Sequence, residues 1–381
     1  MMKASPSAPS AKLEQTSRAE LPAHSGVTAE PLAATLPHKA RTTVAIVVLS
    51  ALLAVFGVIS VGSGQLHIPA GEVIQILLQG VGIDIGHGTT HPNAAAALWS
   101  IRLPRVVMAL LVGAALAVAG LIMQAIFGNP LADPGVVGVS SGAAVGACTA
   151  IVFNIALLGE WTVPVMAFVS GLATTLIVYA FSRSGGRTEV VTLILTGVAV
   201  NAFAGAALAF LTFVSDQSAR EQIVFWQLGS LNGSRWVQVA AVAPLVVIGI
   251  ACTFLFTRRL DLLSLGERSA RHLGVNVEAL RVIGIVVVAV LTAAAVSFAG
   301  IIAFVGLVIP HLMRMLLGPA HRPLLITSIL GGALLLEVAD LVARTAVTYA
   351  DLPIGMLTSL VGGPFFFWLL RRTRRTSGGW G

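Results

Sequence analysis

Carboxylates inside an apolar run are the first residues that could carry chemistry. Glu337 and Asp340 stand in the run from Leu324 to Val347, with Arg344 at the next turn. The spacing of i, i+3 and i+7 puts all three on one stripe of a helix. Two uses compete. The stripe could begin a proton or ion relay, the common reason for charge inside a membrane. Or Asp340 and Arg344 form an intrahelical pair near one end of the helix, with Arg344 still able to reach an outer partner. One cluster at one end offers little to a relay that must cross a bilayer, so the pair is favoured. Two further cations, Arg102 and Arg105, flank Leu103-Pro104 at the head of another apolar run. Pro104 suits a first helical turn. These arginines either snorkel to lipid headgroups or receive an anionic partner.

Other reactive residue types lead nowhere catalytic. Cys148 and Cys252 both lie in apolar runs, away from any Cys or His at metal-binding spacing, and read as packing residues with no disulfide. His311 follows Pro310 with Arg314 one turn on, HExxH is absent, and no metal site is expected. The three lysines, Lys3, Lys12 and Lys39, all precede the first apolar run, so the chain has no GxxxxGK[ST] phosphate loop. If nucleotide drives this protein, another subunit binds it. No catalytic residue and no cofactor of its own is expected.

The elements that hold these residues are membrane helices. The chain has 381 residues, of which 56% are hydrophobic and 10% charged, with mean hydropathy +0.93; soluble domains carry about 25% charged residues. Apolar runs near the ~20 residues that span a bilayer recur along the chain. The pattern predicts an all-α polytopic membrane protein. A β-barrel does not fit such runs, and the net charge of +7 is a topology signal, not a mark of nucleic-acid binding.

Ten spans are predicted: Val44–Gly62, Val106–Ile126, Val136–Leu158, Val163–Phe181, Val190–Val214, Val237–Thr257, Val282–Phe298, Ile301–Leu317, Leu324–Val347 and Ile354–Leu370. The second is rich in Gly and Ala, which let neighbouring backbones approach, and is expected at the centre of the bundle. Residues 1–42 are expected to be a disordered cytoplasmic tail, residues 43–372 the transmembrane domain, and residues 373–381 a C-terminal cytoplasmic tail. With both termini inside, 18 of the 23 basic residues face the cytoplasm, as the positive-inside rule asks. The polar segment from Ser63 to Leu98, with His67, His87 and His91, then lies outside.

Smaller features are weighed against bland uses. Residues 119–130 align with 299–310 through Ala-Gly and a proline; the offset of five spans suggests two inverted five-helix halves. Gly142 to Gly146 form a GxxxG, here read as general packing. Gln124 and Asn201 are isolated polar residues at mid-span, and interhelical hydrogen bonding is their expected use. The loop 258–281 alternates leucines with charges between Gly266 and Gly274. It reads as two short helices at the cytoplasmic surface and as a docking site for a partner.

Five stretches together resemble one family, the permease subunits of ABC importers for ferric siderophores, haem and cobalamin (the FecCD family). They are RLPR at 102–105, GNPLADPGVVGVSSGAAVGA at 128–147, LGERSARHLGV at 265–275, FAGIIAFVGLVIPHLMR at 298–314 and DLVARTAVTYADLPIGMLTSLVGGPFFFWLL at 340–370. The resemblance covers residues 44–372 and implies a homodimer in the bacterial cytoplasmic membrane. It implies two ATP-binding cassette subunits, carrying ATP and Mg, on the cytoplasmic loop. The coupling residues would be Leu265, Gly266, Glu267, Arg268, Ala270, Arg271, Leu273 and Gly274. It implies an external solute-binding protein docked on Arg102, Arg105 and Arg344, and a path along the fifth and tenth spans lined by Thr196, Asn201, Leu208 and Met356. Haem is the first choice of cargo, a ferric siderophore next, cobalamin third; the segment 219–236 is more like the haem branch. The rivals from other classes are an ion-coupled secondary transporter and a membrane-embedded assembly protein.

Overall fold

The computed structural model describes residues 37–64, 68–80, 82–83, 92–184, 187–347 and 350–376. His67, His87, His91 and the segment 1–36 lie outside them. Among the described residues the regular structure is helical apart from a short ladder, Arg183–Ser184 with Arg187–Thr188. Among the described residues seven helices are long and apolar enough to cross a membrane, and three shorter apolar ones join them.

The crossings are α1 (His38–Gly62), α4 (Leu103–Phe127), α5 (Val139–Val152), α6 (Thr162–Phe181), α7 (Val190–Val214), α9 (Trp236–Leu263), α11 (Val277–Ala299), α12 (Val305–Leu317), α13 (His321–Thr345) and α14 (Ile354–Thr376). Short helices α2 (Ala70–Gly80), α3 (Ala94–Ala97) and α8 (Gln217–Leu228) lie between crossings at one end, and α10 (Glu267–His272) lies at the other. Because each half has five crossings, α1 and α9 start from opposite ends and the halves run in opposite senses. The aligned Ala-Gly pairs nevertheless do different work. Gly120 sits inside α4, whereas Gly300 follows the end of α11 at φ +69°.

The second crossing is the centre of the bundle. In its most apolar stretch 83% of residues are buried, against 72% for α11 and 11% for α1. Small residues make this possible. A Cβ added at Gly113 would lie 2.2 Å from the Gly332 carbonyl oxygen of α13, and one at Gly120 would lie 1.8 Å from that of Gly306 in α12. Only backbone fits at either crossing.

α12 explains Gln124. Pro310 cannot donate to the Gly306 carbonyl one turn back. Gln124 Nε2 donates to Gly306 O at 3.3 Å and to Leu307 O at 3.1 Å. A buried side chain in α4 thus satisfies a carbonyl that the bilayer would leave bare. Asn201 is used in a similar way: its Oδ1 accepts from Ser141 at 2.6 Å and its Nδ2 donates to Gly135 O at 3.2 Å.

Several boundaries differ from expectation, each for a local reason. The first span begins at His38, so residues 38–42 belong to a helix and not to the tail. The third is shorter: a 3-10 turn over Pro134–Val137 and Gly138 at φ +79° precede α5, which stops at Val152. The eighth begins at Val305 because Phe304 takes φ +69°, which no helix continues. α9 runs on through Arg258 and Arg259 to Leu263, since nothing before Ser264 breaks it. α11 starts at Val277, where the Asn276 side chain accepts from Ala279 N at 3.0 Å. The 258–281 loop therefore contracts to 264–276 and holds one short helix instead of two.

Candidate functional site at the two ends of the bundle

At one end three arginines converge, each held by the protein itself. Helical structure already begins at Ala94, so Pro104 stands inside a continuous stretch and not at its start. Proline removes one backbone donor there, and the ladder widens into a π-turn over Leu98–Arg102. Arg102 leaves this turn to donate through Nη1 to Val61 O at 2.6 Å and to Gly62 O at 3.0 Å. Arg344 donates to Ser63 O at 2.7 Å and to the carbonyl and hydroxyl of Ser60. Both arginines thus cap the last turn of α1, whose carbonyls lack helical partners and carry the negative end of its dipole.

Arg105 does something else. Its Nε donates to Asp340 Oδ1 at 2.9 Å and its Nη1 to Asp351 Oδ2 at 2.8 Å. It ties α4 to α13 and to the segment before α14. The expected Asp340–Arg344 pair is the looser contact, 3.5 Å from Arg344 Nε. Arg105, over two hundred residues away in sequence, is the nearer partner. Glu337, one turn along, is 1% exposed, and neither of its oxygens has a hydrogen-bond partner among the described residues. The next buried polar side chains along α13, Ser328 and Thr327, lie more than two turns away, too far for a proton to pass directly, so the geometry gives no support to a relay. The same end is tied by Arg235 to Glu160 at 2.8 Å and by the Trp236 indole N–H to Trp99 O at 2.7 Å.

At the other end α10 stands between two glycines in left-handed territory, Gly266 at φ +98° and Gly274 at φ +84°. No L side chain adopts these conformations cheaply. Ala270 is fully buried and seats the helix, while Leu265 and Leu273 on either side of it are 63% and 59% exposed. Glu267 accepts from Arg271 at 3.1 Å and from Arg281 of α11, which fixes α10 to the bundle. Arg268 is exposed. In the nearby turn between α4 and α5, burial raises the Asp133 carboxyl above its usual range, although Gly135 N donates to it at 2.8 Å.

The path residues expected from the sequence divide. Leu208 lines a groove of about 820 Å³ with Gly205, Thr212, Phe213, Arg220 and Gln227. Thr196 and Asn201 lie half-buried on α7, and Asn201 is committed to the bonds with α5. Met356 is 40% exposed at the start of α14. Asp351, the second partner of Arg105, was not singled out from the sequence; its one signal is an acidic residue just after a basic helix end.

The FecCD transport family matches residues 52–372 of this chain. The chain belongs to the FecCD transport family. It is the permease of an ABC importer, a transport component that spans the membrane. It is 44% identical over 295 residues to the hemin transport system permease protein HmuU of Yersinia pestis, covering 76% of this chain and 88% of that one. It is 45% identical over 280 residues to the cobalamin import system permease protein BtuC of Halobacterium salinarum, covering 73% and 74%. A solved metal-chelate type ABC transporter in an inward-facing conformation matches with a TM-score of 0.74 at 34% identity, over 86% of the permease and 98% of that chain. The two curated relatives differ in cargo, and their identities do not separate them.

Proposed function

We propose that this permease moves an iron complex, haem before a ferric siderophore, from an external binding protein into the bacterial cytoplasm. It works as a homodimer, with both termini cytoplasmic and α10 facing two separate ATP-binding cassette subunits that hydrolyse ATP. The observation that carries the reading is α10 itself. Two exposed leucines beside a helix fixed by buried Ala270 and by the Glu267–Arg281 pair form an apolar contact on a rigid seat. A force applied there passes directly to α9 and α11. The exposed apolar face of α7, with Val191, Leu195, Val198, Phe203 and Phe210, suits a second copy across the path.

The arginine end suits an acidic partner. Asp351 is 31% exposed in its pair with Arg105, so a carboxylate of the binding protein can exchange with it, keeping the Arg105 fork of donors satisfied. Haem is preferred because the similarity to the hemin permease spans 88% of that protein; cobalamin is the second reading, favoured by the 45% identity to the cobalamin permease. The test is uptake of hemin, a ferric siderophore and cobalamin in competition, by vesicles holding the permease, its ATPase and the binding protein. Hemin accumulation that needs ATP supports the proposal, and preferential cobalamin accumulation replaces the cargo.

A further inference from the structure

Beside α10 lies a cavity of about 540 Å³, and apart from Gly266 and Glu267 the transport reading gives its lining no role. Its lining residues come from the same end of six crossings: Gln124 and Phe127 of α4, Val190 of α7, Leu263 of α9, Arg281 of α11, Arg314 of α12 and His321 of α13. Four of its lining residues keep polar atoms that have no hydrogen-bond partner among the described residues. Arg314 Nε and Nη2 are buried with no hydrogen-bond partner among the described residues, and so are Arg281 Nε, His321 Nε2 and Gln124 Oε1. His321 is fully buried and Arg281 is 5% exposed. Their other atoms are fixed: His321 Nδ1 pairs with Asp261 at 2.8 Å, and Arg281 Nη1 donates to Thr188 O at 3.2 Å. Glu267 balances Arg281, whereas among the described residues no carboxylate pairs with Arg314.

Arg314 therefore brings to the cavity wall a positive charge that no carboxylate among the described residues balances, and an anionic occupant would balance it. We propose that this cavity binds a phosphate ester bearing hydroxyl groups, of the phosphoglycerol type. The guanidinium N–H groups of Arg314 and Arg281 suit phosphate oxygens. With Nδ1–H given to Asp261, His321 Nε2 is left an acceptor, as is Gln124 Oε1, and these two lining residues would meet hydroxyl donors once a ligand draws their side chains toward it. The cavity is far larger than phosphate alone, and Phe127, Val190 and Leu263 supply apolar wall. Its lining sits in the last or first turns of the crossings, at the depth where basic pockets between membrane helices hold anionic headgroups. Gly266 and Glu267 also line it, so an occupant would brace the seat of α10. The binding itself does not depend on the transport reading.

The test measures binding to the purified full-length permease by native mass spectrometry, with phosphatidylglycerol, phosphatidylcholine and soluble glycerol 3-phosphate as probes. Phosphatidylglycerol is expected to bind more tightly than phosphatidylcholine, and Arg314→Gln to weaken it about tenfold, as loss of charged hydrogen bonds does. Ser264→Glu places a negative charge on an exposed residue at the cavity; it is expected to weaken binding similarly without touching the core, which covers the case that Arg314→Gln misfolds. Binding of glycerol 3-phosphate that Ser264→Glu weakens supports the site with a soluble ester as its ligand. Phosphatidylglycerol binding unchanged by the variants, with no glycerol 3-phosphate bound, overturns the proposal.

Discussion

The pair of Arg105 and Asp340 should be the strongest single tie between the central helix and α13. Asp340 is 1% exposed and accepts from Arg105 Nε at 2.9 Å and 3.1 Å on its two oxygens. Removing one partner of a buried ion pair costs about 3–5 kcal/mol, because the other charge stays buried. Arg344 Nε at 3.5 Å leaves Asp340 some compensation, so Arg105→Gln is expected to cost about 3 kcal/mol, roughly a hundredfold in the unfolding equilibrium. Asp351 shares the same arginine but is 31% exposed; Asp351→Asn should cost at most about 1 kcal/mol. The assay is unfolding of the purified permease in mixed micelles, with a double-mutant cycle on Arg105→Gln and Asp340→Asn. A coupling energy of about 2–3 kcal/mol is expected. Additive effects, or Asp351→Asn as damaging as Asp340→Asn, would refute the assignment of the buried pair as the principal contact.

Gly120→Val should prevent assembly of the bundle, since even its first carbon would overlap the Gly306 carbonyl, while Gly205→Ala on the open side of α7 should leave expression and thermal stability unchanged. Gln124→Leu should destabilise by about 1–3 kcal/mol in the same unfolding assay, because the carbonyl freed by Pro310 loses its donor. Leu265→Ser with Leu273→Ser should abolish stimulation of the partner ATPase with no change in melting temperature; a retained stimulation removes α10 from the coupling role. Asp351→Asn should tighten binding of the solute-binding protein by freeing one Arg105 donor, and its measured affinity should fall with added salt.

Much of this fold is legible in the sequence, because hydrocarbon thickness and charge deficit dictate helix length and number. The crowding of Gly113 and Gly120 against α13 and α12 follows from small residues, and α10 is announced by Gly266 and Gly274. What the sequence does not carry is pairing over distance. The i+4 rule favours Arg344 as the partner of Asp340; the three-dimensional bundle brings Arg105 closer. Nothing in the spacing of Arg102 suggests that it caps α1, since its acceptors are carbonyls, which every residue has. The α9 extension was hidden by charge: Arg258 and Arg259 look like a loop, yet both are good helix formers at a membrane edge. Phe304 at positive φ has no sequence mark at all. The cavity beside α10 draws on residues from six crossings, none of which is unusual alone.

The central claim is that a separate ATPase drives an iron complex through this permease, and one measurement addresses it directly. Vesicles are reconstituted with the permease, its ATPase and the binding protein loaded with hemin, with ATP in the compartment that faces α10. The account predicts hemin accumulation that requires ATP, the ATPase and the binding protein together, and that stops when Leu265 and Leu273 are both replaced by serine. Accumulation that persists without the ATPase and follows an imposed ion gradient would contradict it.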